Sequence, residues 1–395
     1  MLKKEPDNNI KTKSEPSVHY PPFTINVNSL ETLITELKKS GYITVSPVFR
    51  DGAIIYDEIN KADEMPIGLT DEQEKAYYRV KQYKKKTYFH YTVGPYSWKK
   101  FLFPPSLKLW RAEKNGKSFN ISVSDSVNQK YAFIGVRSCE LNAIFIQDKV
   151  FNNGQFSDSV YNTLRAKTFI VAVNCTKANS TCFCVSMNSG PKVKAGYDIA
   201  LTEVFDDEEH FFLIQAGSTK GLEMIKKLKT KQADETEILK AEKSVKKTAS
   251  SMKRSIDNNG IKELLYSSSN SLYWDEIAIR CLTCANCTLV CPTCFCNNIE
   301  DTTDLTGEHA ERWRKWDSCF TMDFAKVAGG NFRSSPKARY RQWMTHKLAS
   351  WIDQFDTSGC VGCGRCITWC PVKIDITEEV AAFRKLSELT KIKKL

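Results

Sequence analysis

The chain has 395 residues, which at roughly 150 per domain is room for two or three domains with real cores. With 42% apolar and 26% charged residues it has the composition of an ordinary globular protein. No run approaches the ~18 consecutive apolar residues of a membrane span. The polar, Lys-rich residues 1–16 lack the apolar core of a signal peptide, so neither export nor direct membrane insertion is expected. Fifteen cysteines without an export signal point to a reducing, cytoplasmic compartment in which thiols serve as metal ligands. The net charge of +11 is spread along the chain in short runs such as Lys84-Lys85-Lys86, which read as solvated faces and not as a nucleic-acid surface. Thiolate ligands would further offset it.

In chain order, residues 1–25 read as a disordered tail, with little apolar content and three prolines from Pro16 to Pro22. Leu30, Leu33, Ile34 and Leu37 have helical spacing. Residues 42–45 and 48–59 look like strands, the second turned back at Asp51-Gly52. Residues 131–136 and 169–173 are short apolar runs typical of buried strands, with a helix between them, so a β-α-β unit is expected. Residues 200–205 and 211–214 add a hairpin. The expected fold is α+β: an N-terminal α/β domain with a mixed sheet over 26–217, an exposed helical connector over 218–270, and a mostly helical, ferredoxin-like domain over 271–395. A helical insertion over 297–358 splits the last, with Ser335-Pro336 as the N-terminal signal of a helix bearing Tyr340, Trp343, Met344, Leu348 and Trp351. Those aromatics are expected in the core.

The chemistry lies in the cysteines. Cys281, Cys284, Cys287 and Cys291 precede Pro292 with the spacing C-x2-C-x2-C-x3-C-P, and Cys360, Cys363, Cys366 and Cys370 precede Pro371 with the same spacing. Three cysteines at three-residue intervals wrap a loop around three irons of a [4Fe–4S] cube; the fourth ligates the other cube. The expected ligand sets are therefore Cys281, Cys284, Cys287 with Cys370, and Cys360, Cys363, Cys366 with Cys291. Zinc sites pair two C-x2-C units and have no counterpart to this repeat. Gly359, Gly362 and Gly364 are expected to let backbone N–H groups approach the sulfurs. Seven cysteines lie outside the repeats. Cys139 and Cys175 follow the two buried strands, where α/β folds place ligands, and Cys182 and Cys184 could fold back to the same edge. These four are candidates for a third [4Fe–4S] cluster; the alternative is buried, inert thiols. Cys294, Cys296 and Cys319 are read as residues around a cluster or in the core, with a further site using a non-cysteine ligand kept open.

The segments Ile134-Gly-Val-Arg-Ser-Cys-Glu-Leu141, Asn174-Cys175, Thr181-Cys-Phe-Cys-Val-Ser-Met187, Trp316-Asp-Ser-Cys-Phe320, Ala328-Gly-Gly-Asn-Phe-Arg333 and Cys360-Val-Gly-Cys-Gly-Arg-Cys366 resemble the iron–sulfur beta subunit of cytosolic [NiFe] sulfhydrogenases. The related A subunit of anaerobic sulfite reductase shares the plan. The resemblance implies a non-catalytic electron-transfer subunit lying against a flavin- and NAD(P)-binding oxidoreductase subunit, which serves hydrogenase small and large subunits or a sulfite reductase catalytic subunit. The chain itself carries no dinucleotide fingerprint and no P-loop, so no flavin or NAD site is expected in it. Arg137, Arg333 and Arg365 adjoin cysteine motifs, where they would tune a cluster or form structural ion pairs. A stand-alone ferredoxin-like redox protein and a basic metal-binding nucleic-acid module are the readings from other classes.

Overall fold

The structure is a computed structural model that describes residues 20–392, apart from 124–126 and 155. Its organising element is an eight-stranded mixed sheet in the spatial order Lys231–Gln232, Phe23–Asn26, His210–Ala216, Ile199–Phe205, Phe169–Val173, Tyr131–Arg137, Ile43–Arg50 and Ala53–Glu58. The four strands from Ile199–Phe205 to Ile43–Arg50 run parallel, and the flanking pairs are antiparallel. Parallel strands are covered on both faces, which is why their sequences are continuous apolar runs. Phe169, Val171 and Val173 face one layer, with Leu30, Leu33, Ile34 and Leu37 of the helix Ser29–Lys39. Ile170 and Ala172 face the other, with Leu141 and Ile144 of the helix Ser138–Phe151. The turn at Asp51-Gly52 has φ of 51° and 77°, the left-handed pair that a two-residue hairpin requires.

Three segments differ from the sequence-based expectation. Residues 1–19 of the expected tail lie outside the described residues, but Phe23–Asn26 is a strand paired with the hairpin strand His210–Ala216. Residues 218–270 are not a free connector. Met224, Ile225 and Leu228 enter the core under the sheet, Lys231–Gln232 pairs with Phe23 and Thr24, and the helix Glu235–Ser251 buries Ala241, Val245 and Thr248. Ile256, Ile261, Leu264 and Leu265 then join the C-terminal core. A narrow apolar stripe is enough to dock a Lys-rich helix, because the long basic side chains stay in water.

The insertion is only partly helical. It opens with a hairpin, Asn297–Thr303 and His309–Trp316, whose second strand pairs with Ser106–Asn115, itself paired with Ser118–Val123. The resulting four-stranded antiparallel sheet joins the two halves of the chain. Three of its strands are rich in charged and polar residues, and the edge strand Ser118–Val123 alternates Phe119, Ile121 and Val123 with polar residues but leaves those three side chains exposed. Cross-strand ion pairs, Arg312 with Asp301 at 2.6 Å and Lys315 with Glu300 at 2.6 Å, support the hairpin. The helix Pro336–Thr345 begins as expected, with the Ser335 hydroxyl accepting from the Ala338 N–H, and it places Tyr340, Trp343 and Met344 in a core with Trp274, Leu348 and Phe383. Among the described residues no helix is long and apolar enough to cross a membrane.

Candidate functional site

The two cysteine repeats fold as near copies. Cys281 ends the helix Tyr273–Arg280, and Cys287 lies in the short helix Asn286–Leu289. Between them Thr283 (φ 53°) and Ala285 (φ 66°) take left-handed conformations that curl the loop. The corresponding positions of the second repeat are Gly362 (φ 63°) and Gly364 (φ 79°). The Thr283 N–H reaches Cys281 Sγ at 3.4 Å and the Gly362 N–H reaches Cys360 Sγ at 3.5 Å, so the approach of N–H to sulfur does not need glycine. The need comes from packing. A Cβ on Gly362 would lie 2.7 Å from the Cys184 nitrogen, and one on Gly364 would lie 2.4 Å from the Thr181 carbonyl oxygen. The glycines let the second loop press against the Thr181-Cys-Phe-Cys184 loop.

The fourth cysteine of each repeat has the other repeat's cysteines as neighbours. The thiols that act electrostatically on Cys287 are Cys281, Cys370 and Cys284, followed by Cys291. Those acting on Cys366 are Cys360, Cys363 and Cys291, followed by Cys287. The first group, with Cys366, lines a small cavity walled by Phe320, Tyr340 and Trp343. Tyr340 Oη and Trp343 Nε1 are buried without a hydrogen-bond partner, as is Arg365 Nη1, whose guanidinium adjoins Cys363. Cluster sulfurs are acceptors for such donors, so the residues present fit a cube. Among the described residues no three His, Cys, Asp or Glu side chains are placed to hold a single metal ion. The ligands of a cube stand farther apart, because each binds its own iron.

Cys139 lies in the first turn of the helix Ser138–Phe151 and Cys175 just beyond the strand Phe169–Val173, at the C-terminal edge of the parallel strands. The bend that aims Cys139 starts at Gly135 (φ 95°), beside a register shift, where a Cβ would meet the Phe89 ring at 2.9 Å. Cys182 and Cys184 come to the same place: Cys184 is influenced by Cys175, Cys182 and Cys363, and Cys139 by Cys184, Cys363 and Cys175. Burial pushes all four thiols up, Cys182 to about 12. Arg137, held by the carbonyl oxygens of Phe89 and Tyr91 at 2.8 Å each, adjoins Cys175 and opposes that rise. Cys363 therefore neighbours this third group, and Cys287 neighbours the second. Arg333 packs beside Arg339 in a surface groove with Phe332 and Arg341, away from the cysteine groups.

Two lysines carry no signal in the sequence. The buried Lys347 Nζ donates to Cys291 Sγ at 3.3 Å, Thr293 Oγ1 at 3.0 Å and the Gly359 carbonyl at 3.1 Å. Lys99 Nζ donates to the carbonyls of Cys291 and Cys294 at 3.1 and 3.0 Å and lies 3.9 Å from the Trp316 ring centroid. Burial opposes the charge of Lys347, but the thiols of Cys291, Cys294 and Cys360 outweigh it and keep the ammonium protonated. Cys294, Cys296 and Cys319 line a small pocket beside them, with His346 and Trp351.

Residues 280–374 match the 4Fe-4S dicluster domain family. Over 342 residues, 86% of this chain and 91% of the relative, the chain is 31% identical to Sulfhydrogenase 2 subunit beta of Pyrococcus furiosus. The chain belongs to the sulfhydrogenase beta subunit family. It is an iron–sulfur electron-transfer subunit of the [4Fe–4S] type, in which an α/β body abuts the dicluster domain. No solved structure matches it.

Proposed function

We propose that this chain is a cytoplasmic, non-catalytic relay that passes single electrons between a flavin- and NAD(P)-binding partner and a [NiFe] hydrogenase module. Cys281, Cys284, Cys287 and Cys370 hold one [4Fe–4S] cluster, and Cys360, Cys363, Cys366 and Cys291 a second. Cys139, Cys175, Cys182 and Cys184 hold a third. The observation that supports the reading is that Cys370 acts on Cys287 together with Cys281 and Cys284, Cys291 acts on Cys366 together with Cys360 and Cys363, and Cys363 acts on Cys184 of the third group. Three thiol groups thus follow one another from the sheet edge to the dicluster domain. A cluster supplies one-electron chemistry when bound; the protein's part is to hold it dry, direct N–H groups at its sulfurs and set the local charge through Arg137, Arg365 and Lys347.

The test is reduction of the anaerobically purified chain, followed by electron paramagnetic resonance. With NAD(P)H alone the clusters stay oxidised, and on addition of a flavoprotein partner they are reduced. Hydrogen oxidation or tight NAD(P)H binding by the lone chain would contradict the reading.

A further inference from the structure

Cys294, Cys296 and Cys319 share one pocket but take no part in the three thiol groups. Cys296 and Cys319 both line it, and each acts on the other's thiol. Both sit at the base of the hairpin that links the two halves, where Asn297 pairs with Trp316 and the Asp317 N–H donates to the Cys296 carbonyl at 2.9 Å. We propose that Cys296 and Cys319 form a redox-active dithiol that exchanges two electrons with the relay. The inference rests on the relay reading above.

The surroundings suit the chemistry. Cys319 is buried and Cys296 half-buried. The ammonium groups of Lys347 and Lys99 both act on Cys296. The neighbouring Cys319 and these two charges lower the Cys296 thiol, while Cys296 and burial raise that of Cys319, which favours exchange between the two sulfurs. Cys294 stands between this pair and the second ligand set, since both Cys291 and Cys296 act on its thiol. A single-ion site is not formed, because no three candidate ligands are placed for one. In the step itself the two S–H bonds are lost and one S–S bond forms. Two protons leave to solvent, and the two electrons go singly to two oxidised [4Fe–4S] clusters. In reverse, two reduced clusters return the electrons, the S–S bond breaks and two protons are taken up.

The test uses the full, cluster-loaded chain, poised anaerobically with dithionite or with thionine, quenched in acid, alkylated with a maleimide and read by mass spectrometry. The expected result is two fewer maleimides per chain at the oxidised poise and a linked peptide pair containing Cys296 and Cys319. In Cys319→Ser that difference disappears while iron content stays unchanged. Equal labelling at both poises in an iron-loaded chain overturns the dithiol, as does loss of iron or zinc in Cys319→Ser. Iron near zero in the unmodified chain instead overturns the relay reading, and the cluster-coupled dithiol with it.

Discussion

The Arg365 guanidinium lies 2.5 Å from Glu140 Oε1, and both side chains are fully buried. Arg365 lies within the second cysteine loop and Glu140 follows Cys139, so this one ion pair fixes the dicluster domain against the helix that carries the third group. The carboxylate also accepts from Tyr56 Oη at 2.7 Å and Trp98 Nε1 at 3.1 Å, while Arg365 donates to the carbonyls of Gly94 and Tyr96 at 2.8 Å each. Glu140→Gln would strand a buried cation, at about 3–5 kcal/mol. The urea midpoint of the holoprotein should fall accordingly; an unchanged midpoint would show that the pair does not lock the halves together.

Cys291→Ser should remove about four irons per chain and the spectrum of one cluster, on four irons per cube. The signal that Cys281→Ser abolishes should survive. If Cys291→Ser and Cys281→Ser abolish the same signal, ligation is not crossed.

Lys347→Met removes a buried positive charge 3.3 Å from Cys291 Sγ. Reduction adds negative charge, so the potential of the adjacent cluster should drop by roughly 60 mV, equivalent to a tenfold change for one electron. A redox titration followed by paramagnetic resonance measures this, and a rise in potential would contradict the assigned role.

For the third group, the full chain should hold about 12 irons, on four per cube, and Cys182→Ser should lower that to about 8. A full chain holding about 8 already would make Cys139, Cys175, Cys182 and Cys184 packing residues. Removing residues 1–270 is a poor substitute for this test, because the strand His309–Trp316 would lose its partner Ser106–Asn115.

His90 lies apart from the cysteines, its ring 4.1 Å from that of Tyr83 and its Nδ1 without a partner. Burial, aided by Lys177 and Arg137, lowers it to about 4 from 6.5. The unfolded chain therefore binds the proton more readily, so the contribution to stability is complete above about pH 6.5 and is lost as pH falls toward 4. Melting temperature should decline over that window, and less steeply in His90→Phe. Equal slopes would remove His90 from the account.

What the sequence by itself determined is the chemistry and the elements around it. The duplicated spacing specifies the loop of each repeat, and the continuous apolar runs ending near Cys139 and Cys175 specify parallel strands covered on both faces, because both signals are local and depend only on backbone geometry. The Ser335-Pro336 start and the aromatic face of the helix Pro336–Thr345 were legible for the same reason. Contacts between distant segments were decided by the tertiary structure. The sheet joining 106–123 to 297–316 exists through the pairing of His309–Trp316 with Ser106–Asn115, a register that no local pattern announces. Lys99 and Lys347 reach the cysteines from segments with no motif, and Gly362 and Gly364 answer to a loop nearly 180 residues earlier. The closeness of Cys296 to Cys319 likewise exists only because the hairpin between them closes at its base. Spacing along a chain specifies a loop, whereas the approach of one loop to another depends on the packed surfaces that carry them.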